Sequence, residues 1–493
     1  MMLCLPAMAQ NISRRGPGCW RTRTAQSAAT ARLNNARDSK EPQYIGQKKG
    51  LVILAEFPDK KFKDGHDQQK YYNILNTSGY STNEGFDGSV ADYFREQSGG
   101  LFELRFDVVG PYTTEHEYAY YGKNDISGDD LRPEEMIMEM CRAADAEVDF
   151  SDYDWNGNHM VDEVFVVYAG KGEADGGVAN TIWPHMWSLA ETNKLLILDK
   201  TVIDIYACAN ELKGTGSIDG IGTFCHEFSH CLGLPDFYDL NYSGLSGMGY
   251  FDVMDQGCYA GDGFCPIGYT AYEKMACGWQ DPIELSSEDM TIDSLKPMSR
   301  HGDFYIIRND AYDNEYYLIE NRQREGWDKY MPAKGLMISH VDYDQEIWDN
   351  NIPNTIVTEK EAIKNGYSCG NDHQRMTVFF ANNNNKSPSL YPYLRNDSLT
   401  ATSKPAASLY HPNSLGLKTM MGSILDIHQN SGSGKTMSFR YRALNPVITA
   451  IQPPIATQRT PSMIYTLDGR VAGTSIESLP HGVYIVEGKK TIR

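Results

Sequence analysis

A chain of 493 residues is too long for one compact core, so two or three domains are expected. A formal net charge of −20 at pH 7 argues against nucleic acid and against an anionic membrane surface as main partners. Hydrophobic residues make up 41%, enough for a largely globular chain, and no apolar run reaches the length of about 18 residues that spans a membrane.

The opening stretch, MMLCLPAMAQ, is apolar and ends in Ala7-Met8-Ala9, an A-x-A cleavage pattern. Residues 1–9 are expected to be the remnant of a signal peptide whose start lies upstream, which would put the protein outside the cell or on its surface. Residues 10–45 have little apolar content and read as a pro-segment or flexible N-terminus. Ordered structure is expected from KKGLVILAEF, where the continuous apolar run Leu51 to Ala55 suits a strand buried on both faces. SVADYFREQSGG predicts a short helix capped by Ser89, with Asp92 three residues on and Gly99 as its stop. RPEEMIMEMCRAAD starts another at Pro133. VFVVYAG, from Val164, is a second buried strand. Strands and helices alternating in this way predict an α/β layer over 46–285.

From about residue 286 short segments such as FYIIRN, EYYLIEN, GLMISHVDY and MTVFFAN alternate with Gly, Asn and Asp turns, which predicts a β-rich region over 286–445. The rest, 446–493, reads as a linker followed by a small β module with turns at Asp468-Gly469 and His481-Gly482. None of the ten cysteines forms a CxxC pair, so a cysteine-zinc ribbon is not expected. Export would allow several of them to pair as disulfides.

GTFCHEFSHCLGLPDFYD, residues 222 to 239, carries His226, Glu227 and His230 on one helical turn. With His226 at zero and about 100° per residue, His230 falls near 40°, on the same face. Ile221, Phe224, Cys225, Phe228, Cys231 and Leu232 fall between about 140° and 260°, an apolar back for the helix. Two imidazoles one turn apart suit tetrahedral zinc, with nitrogen bonds of about 2.0–2.1 Å. Glu227, near 100°, is offset and can act as general base toward water without being a ligand. Gly233 can take a positive φ, end the helix and turn the chain back, so that Asp236 supplies a third ligand. Three protein ligands with one open position form the catalytic arrangement rather than the structural one.

A second metal loop is expected in DYDWNGNHMVDE, which fits D-x-D-x-N-G-x5-E. Asp152, Asp154, Asn156, Asn158 through its carbonyl, and Glu163 would supply oxygens for Ca2+, with Asp162 as an alternative to Glu163. A strand rather than a helix follows, so this would be a calcium loop bracing the sheet and not an EF-hand.

HExxHxxGxxD resembles the metzincin-like metalloproteases that use aspartate as third ligand. HCLGLPDFYD, SGMGYFDVMDQG, PIGYTAYEKMACGW, GLVILAEFPDKKF, SVADYFREQSGG, DWNGNHMVDEVFVVYAG, EYYLIENRQ and GLMISHVDY together resemble the immune inhibitor A-like family of secreted bacterial zinc metalloproteases, over about residues 48 to 345. The resemblance implies an α/β (α+β) metzincin-like zinc protease domain over 46–285, followed by the β-rich domain packing on it and the small C-terminal β module. It implies a secreted zinc metalloendopeptidase acting on protein or peptide substrates, with zinc on His226, His230 and Asp236, Glu227 as base, and Met254 in DVMDQG as the Met-turn beneath the metal. Tyr238, Tyr250, His185 and His340 are candidates to steady the oxyanion, and the Cys19 thiolate is a candidate cap on the zinc. IYTLDGR and GVYIVEGKK resemble the C-terminal tails of secreted Bacteroidetes proteins, implying a bacterial secretion machinery as partner; otherwise the module has no sorting role. Two alternatives stand beside the endopeptidase: a zinc hydrolase of another class, such as an amidase, and a catalytically idle adhesin or binding protein.

Overall fold

The computed structural model describes residues 44–126, 128–444, 464–467, 470–473, 475–486 and 489–492. The expected signal remnant, all but the last two residues of the 10–45 segment with its Cys19, the 446–462 linker and the Asp468-Gly469 turn lie outside the described residues. The chain divides into two compact units, with the boundary between Leu444 and Asn445.

The first unit is mixed α/β. Its leading sheet contains β1 (Gly46–Glu56), β2 (Phe102–Thr113), β3 (Val164–Lys171), β4 (His185–Ser188) and, beyond the short hairpin of β5 (Leu196–Leu198) and β6 (Thr201–Ile203), β7 (Ile205–Leu212). The strand order is β2-β1-β3-β7-β4. All neighbours are parallel except β4, which runs antiparallel along β7 at the edge. Leu51 to Ala55 have no exposed surface because β1 lies inside the sheet and both its faces are covered. The period of two sorts the strands between two cores. Val52, Leu54, Phe165, Val167, Ala207 and Ala209 face one core, while Leu51, Ile53, Val164, Val166, Tyr206 and Cys208 face the other.

The longer helices beside the first strands are α1 (Gln68–Asn76), α2 (Val90–Gln97) and α3 (Pro133–Ala144). Ser89 and Asp92 close a reciprocal capping box on α2, and Gly99 follows it at φ +63°. Pro133 opens α3, with Glu134 and Glu135 in the first turn. The site helix, α4 (Gly222–Cys231), lies on the face of the sheet opposite α3.

The β-rich region supplies β8 (Ile283–Glu284), β9 (Met290–Leu295), β10 (Tyr305–Asn309), β11 (Tyr312–Arg322), β12 (Gly335–Asp342), β13 (Met376–Val378), β14 (Gly422–Gln429) and β15 (Met437–Ala443). They form two sheets, β13-β12-β11-β10-β8 and β14-β15-β9. The expected domain seam at 285/286 is absent. Trp327, Met337, Val341 and Trp348 belong to the same buried core as Phe228, Phe237 and Tyr272. Arg322, with no exposed surface, pairs with Asp328 at 2.6 Å and donates to the Gly268 carbonyl at 2.9 Å. A domain boundary falls where few contacts cross, and here one buried core runs across it.

The second unit is a small antiparallel sheet of β16 (Ile464–Thr466), β17 (Val471–Gly473), β18 (Val483–Val486) and β19 (Lys489–Ile492), in the order β17-β16-β18-β19. Ile464, Leu479 and Tyr484 form its core. Among the described residues there is no disulfide, and no helix is long and apolar enough to cross a membrane.

Candidate functional site

The α4 helix presents the phasing its sequence predicts. Phe224, Cys225, Phe228 and Cys231 sink into the core beneath the sheet. Phe224 stacks on Phe165 at 3.8 Å between ring centroids, and Phe228 meets Phe94 at 4.9 Å. Gly222 is required by close approach, since a Cβ there would sit 1.9 Å from the Cys258 carbonyl oxygen. Leu232 caps the helix, and Gly233, at φ +103°, turns the chain back.

That reversal brings Asp236 against the helix front. Its Oδ1 lies 3.2 Å from His226 Nε2 and 3.4 Å from His230 Nε2. The ligand atoms of His226, Glu227 and His230 are within 4.8 Å of one another. All four side chains are buried, Asp236 completely. Both imidazoles are oriented from behind: His226 Nδ1 lies 2.8 Å from the Val253 carbonyl and His230 Nδ1 lies 2.7 Å from that of Leu234. When the ring is neutral, donation from Nδ1 leaves Nε2 as the lone-pair nitrogen, the tautomer a metal needs. Asp236 Oδ1 makes no hydrogen bond although fully buried. Two imidazole nitrogens aimed at an oxygen that lacks a donor make a donor set that fits a divalent cation.

The charges respond to this crowding. Burial alone would lower the His226 pKa, but the Asp236 carboxylate and the Glu227 charge outweigh it and raise it to about 9. Burial would likewise raise Asp236, yet the two imidazoles hold it below the ordinary carboxylate range. Burial keeps Glu227 above its ordinary value, offset in part by His226 and His230. The backbone of Met186, on edge strand β4, also lowers the Glu227 pKa in part.

Met254 is fully buried in the turn that orients His226, and its carbonyl accepts the Phe237 N–H at 2.8 Å. Among the four oxyanion candidates, Tyr238 lies close enough to the centre to feel the charges of Asp236 and Glu227. Tyr250 is 44% exposed. His185 and His340 are held elsewhere. His185 lies between the Trp183 carbonyl, at 2.7 Å, and the Tyr206 hydroxyl, at 3.2 Å, and burial lowers its pKa to about 4. His340 pairs with Glu315 at 2.9 Å in the β-rich region and stacks on Tyr410. One contact has no counterpart in the motif: Asn351, 115 residues after Asp236, bonds it twice, its Nδ2 donating to Asp236 Oδ2 and its Oδ1 accepting the Asp236 N–H, both at 2.7 Å.

The expected calcium donors do not all converge. The Asp152 carboxylate is half-exposed and pairs with Lys49 at 2.6 Å. Asp154 accepts the N–H groups of Gly157, Asn158 and His159, and Asn156 and Asn158 accept the N–H groups two residues on. Asp162 accepts the Trp155 N–H at 2.5 Å. Glu163 turns into the protein, where a Cβ on Gly50 would lie 3.6 Å from its Oε2. It is 1% exposed and neither of its oxygens is hydrogen-bonded. Burial, with the neighbouring Asp162 charge, pushes its pKa well above the ordinary range. The lysine on β1 therefore removes Asp152 from the predicted set.

Residues 41–277 match the family model described as immune inhibitor A peptidase M6, catalytic domain. The chain is 28% identical over 305 residues to the pre-pro-metalloprotease PrtV of two strains of Vibrio cholerae serotype O1, across 52% of this chain and 33% of that relative. It is 26% identical over 334 residues to immune inhibitor A of Bacillus thuringiensis subsp. alesti, across 54% of this chain and 47% of the relative. The chain thus spans between a third and a half of the length of these curated relatives.

Proposed function

Through residues 41–277 the chain belongs to the immune inhibitor A peptidase M6 family, and from that premise we propose that it is a secreted zinc-dependent endopeptidase acting on extracellular proteins. The observation that carries this is Asp236 Oδ1 standing 3.2 and 3.4 Å from two imidazole nitrogens. His226, His230 and Asp236 would hold the ion. Zn2+ held there supplies Lewis-acid polarisation of a scissile carbonyl and lowers the pKa of water.

The chain's own residues do the rest. The Val253 and Leu234 carbonyls fix the two imidazoles in the ligating tautomer. Glu227, desolvated and steered by the Met186 backbone, takes the proton of the attacking water and passes it to the departing amine nitrogen. Edge strand β4, which carries Met186, can receive an extended peptide as an added strand and so bring its carbonyl to the centre. That edge favours a peptide substrate over the small substrates of an amidase. A catalytically idle binding protein would have no use for a buried base at this position.

Casein zymography on cell and medium fractions, with and without a zinc chelator, tests the proposal. A casein-cleaving band in the medium that zinc restores after chelation is expected. Cleavage that survives complete zinc removal would refute it.

A calcium ion at the 154–163 loop is the second part of the proposal, with Glu163, or Asp162 in its place, as the carboxylate, and with Asp154, Asn156 and Asn158 through its carbonyl turning toward the ion on binding. The buried Glu163 carboxylate without a hydrogen-bond donor supports it, because such a charge is costly without a cation.

A further inference from the structure

The segment that grips Asp236 lies outside the matched residues 41–277. It follows the short helix Gln345–Asp349, whose Trp348 has no exposed surface and packs against Phe237 and Tyr272. From there residues 351–356 run along residues 236–241 and bond them repeatedly. Asn351 takes both the backbone and the carboxylate of Asp236. Asn354 Nδ2 donates to the Phe237 carbonyl at 2.7 Å, Thr355 Oγ1 accepts the Leu240 N–H at 2.8 Å, and Asn241 donates to the Ile356 carbonyl at 3.3 Å. The segment is itself braced by Asn371, which donates to the Ile352, Pro353 and Thr355 carbonyls.

The Asn351 contact has only one chemically consistent orientation. A carboxylate oxygen can only accept and a backbone N–H can only donate, so the amide must set Nδ2 on Oδ2 and Oδ1 on the N–H. Oδ2 is thereby occupied and the side chain is held against its own backbone. Oδ1 is the oxygen left to face the two imidazoles. Asn351 is 8% exposed and sits at φ +58°, a left-handed conformation that asparagine tolerates better than most residues.

We propose that Asn351 is a positioning residue of the metal centre: it selects the orientation in which Asp236 Oδ1 faces His226 and His230, so the β-rich region completes the zinc site. The inference rests on Asp236 being a zinc ligand. It assigns Asn351 no contact with substrate. Outer partners of this kind tune metal affinity by about 10–100-fold.

The test is zinc affinity of the full chain, measured by competition with a chromophoric chelator, beside thermal melting of the zinc-free protein. Asn351→Gly keeps the left-handed backbone and removes the amide. It should weaken zinc binding about 10–100-fold while the zinc-free protein still unfolds in one cooperative transition and hydrolysis returns at saturating zinc. Thr355→Val loosens the same segment without touching Asp236 and should change zinc affinity less than about threefold. Should the glycine variant fail to fold, Asn351→Ser, too short to bridge both Asp236 atoms, is measured in its place. Unchanged zinc affinity in the Asn351 variant, or an equal loss in Thr355→Val, overturns the inference. Asp236→Ala separates the two levels. If it loses zinc while the Asn351 variant does not, only the inference fails; if it keeps zinc at full affinity, the ligand assignment fails with it.

Discussion

Two short segments of this chain crowd oxygen and nitrogen donors into a dozen positions or fewer, and they behave differently. On α4, His226 and His230 share a face because the helix repeats its direction every turn, and the Gly233 reversal carries Asp236 to within 3.4 Å of both. In the loop from Asp152 to Glu163 no such repeat exists. Asp152 turns outward to Lys49, Asp154 folds over its own backbone, and Glu163 turns inward beside Gly50. A regular backbone transmits side-chain direction along the chain. In an irregular loop each direction is set by whichever partner stands nearest.

The hardest blow to the helix side would come from Glu227→Gln. It should lower kcat by about 10²–10⁴-fold and leave zinc content unchanged. Near-normal casein cleavage by that variant would mean that the helix front is not the catalytic surface.

The loop side is tested by calcium. With calcium a hundredfold above its Kd, the unfolding free energy should rise by about 2.7 kcal/mol, read as a shift of the urea midpoint. Zinc should not substitute. Glu163→Gln should abolish the calcium shift; a shift of full size in that variant would leave the loop without its buried donor.

An effect smaller per pH unit involves His185, the first residue of the β4 strand that serves Glu227. Burial depresses its folded pKa from 6.5 to about 4. A depressed pKa gives stability that is present above the unfolded value and lost as pH falls through the folded one. The loss should be about 1.4 kcal/mol per pH unit between about 6.5 and 4. Urea midpoints across that range should flatten in His185→Gln, and an unchanged slope would remove the assignment.

The smallest expected effect is Asp152→Asn. Its half-exposed pair with Lys49 should be worth less than about 1 kcal/mol, and the calcium shift should survive intact. If the shift vanished, the five predicted donors would stand and the side-chain directions of the loop would have to change on binding.

Most of the site helix was legible beforehand. The capping box at Ser89, the helix start at Pro133, the buried run at Leu51 and the positive φ at Gly233 all follow from local chemistry, and each recurs in the structure. His185 and His340 are oxyanion candidates in the sequence, but the Trp183 carbonyl and Glu315 engage them in the structure. The 285/286 boundary followed from a change of pattern, yet Trp327 and Trp348 join the same core as Phe228. Asn351 left no signal at all, because WDNNIPNT reads as an asparagine-rich turn and nothing ties it to a residue 115 positions earlier.

Spacing along the chain was therefore sufficient for the helix, its apolar back and the pairing of its histidines, since those follow from a repeat of about 3.6 residues. Contacts remote in the chain had the last word on which Asp236 oxygen faces the imidazoles, on where Asp152 and Glu163 point, and on the merging of two expected domains. The physical reason is that hydrogen bonds and burial between distant segments act only after those segments meet, and linear order carries no record of which of them will.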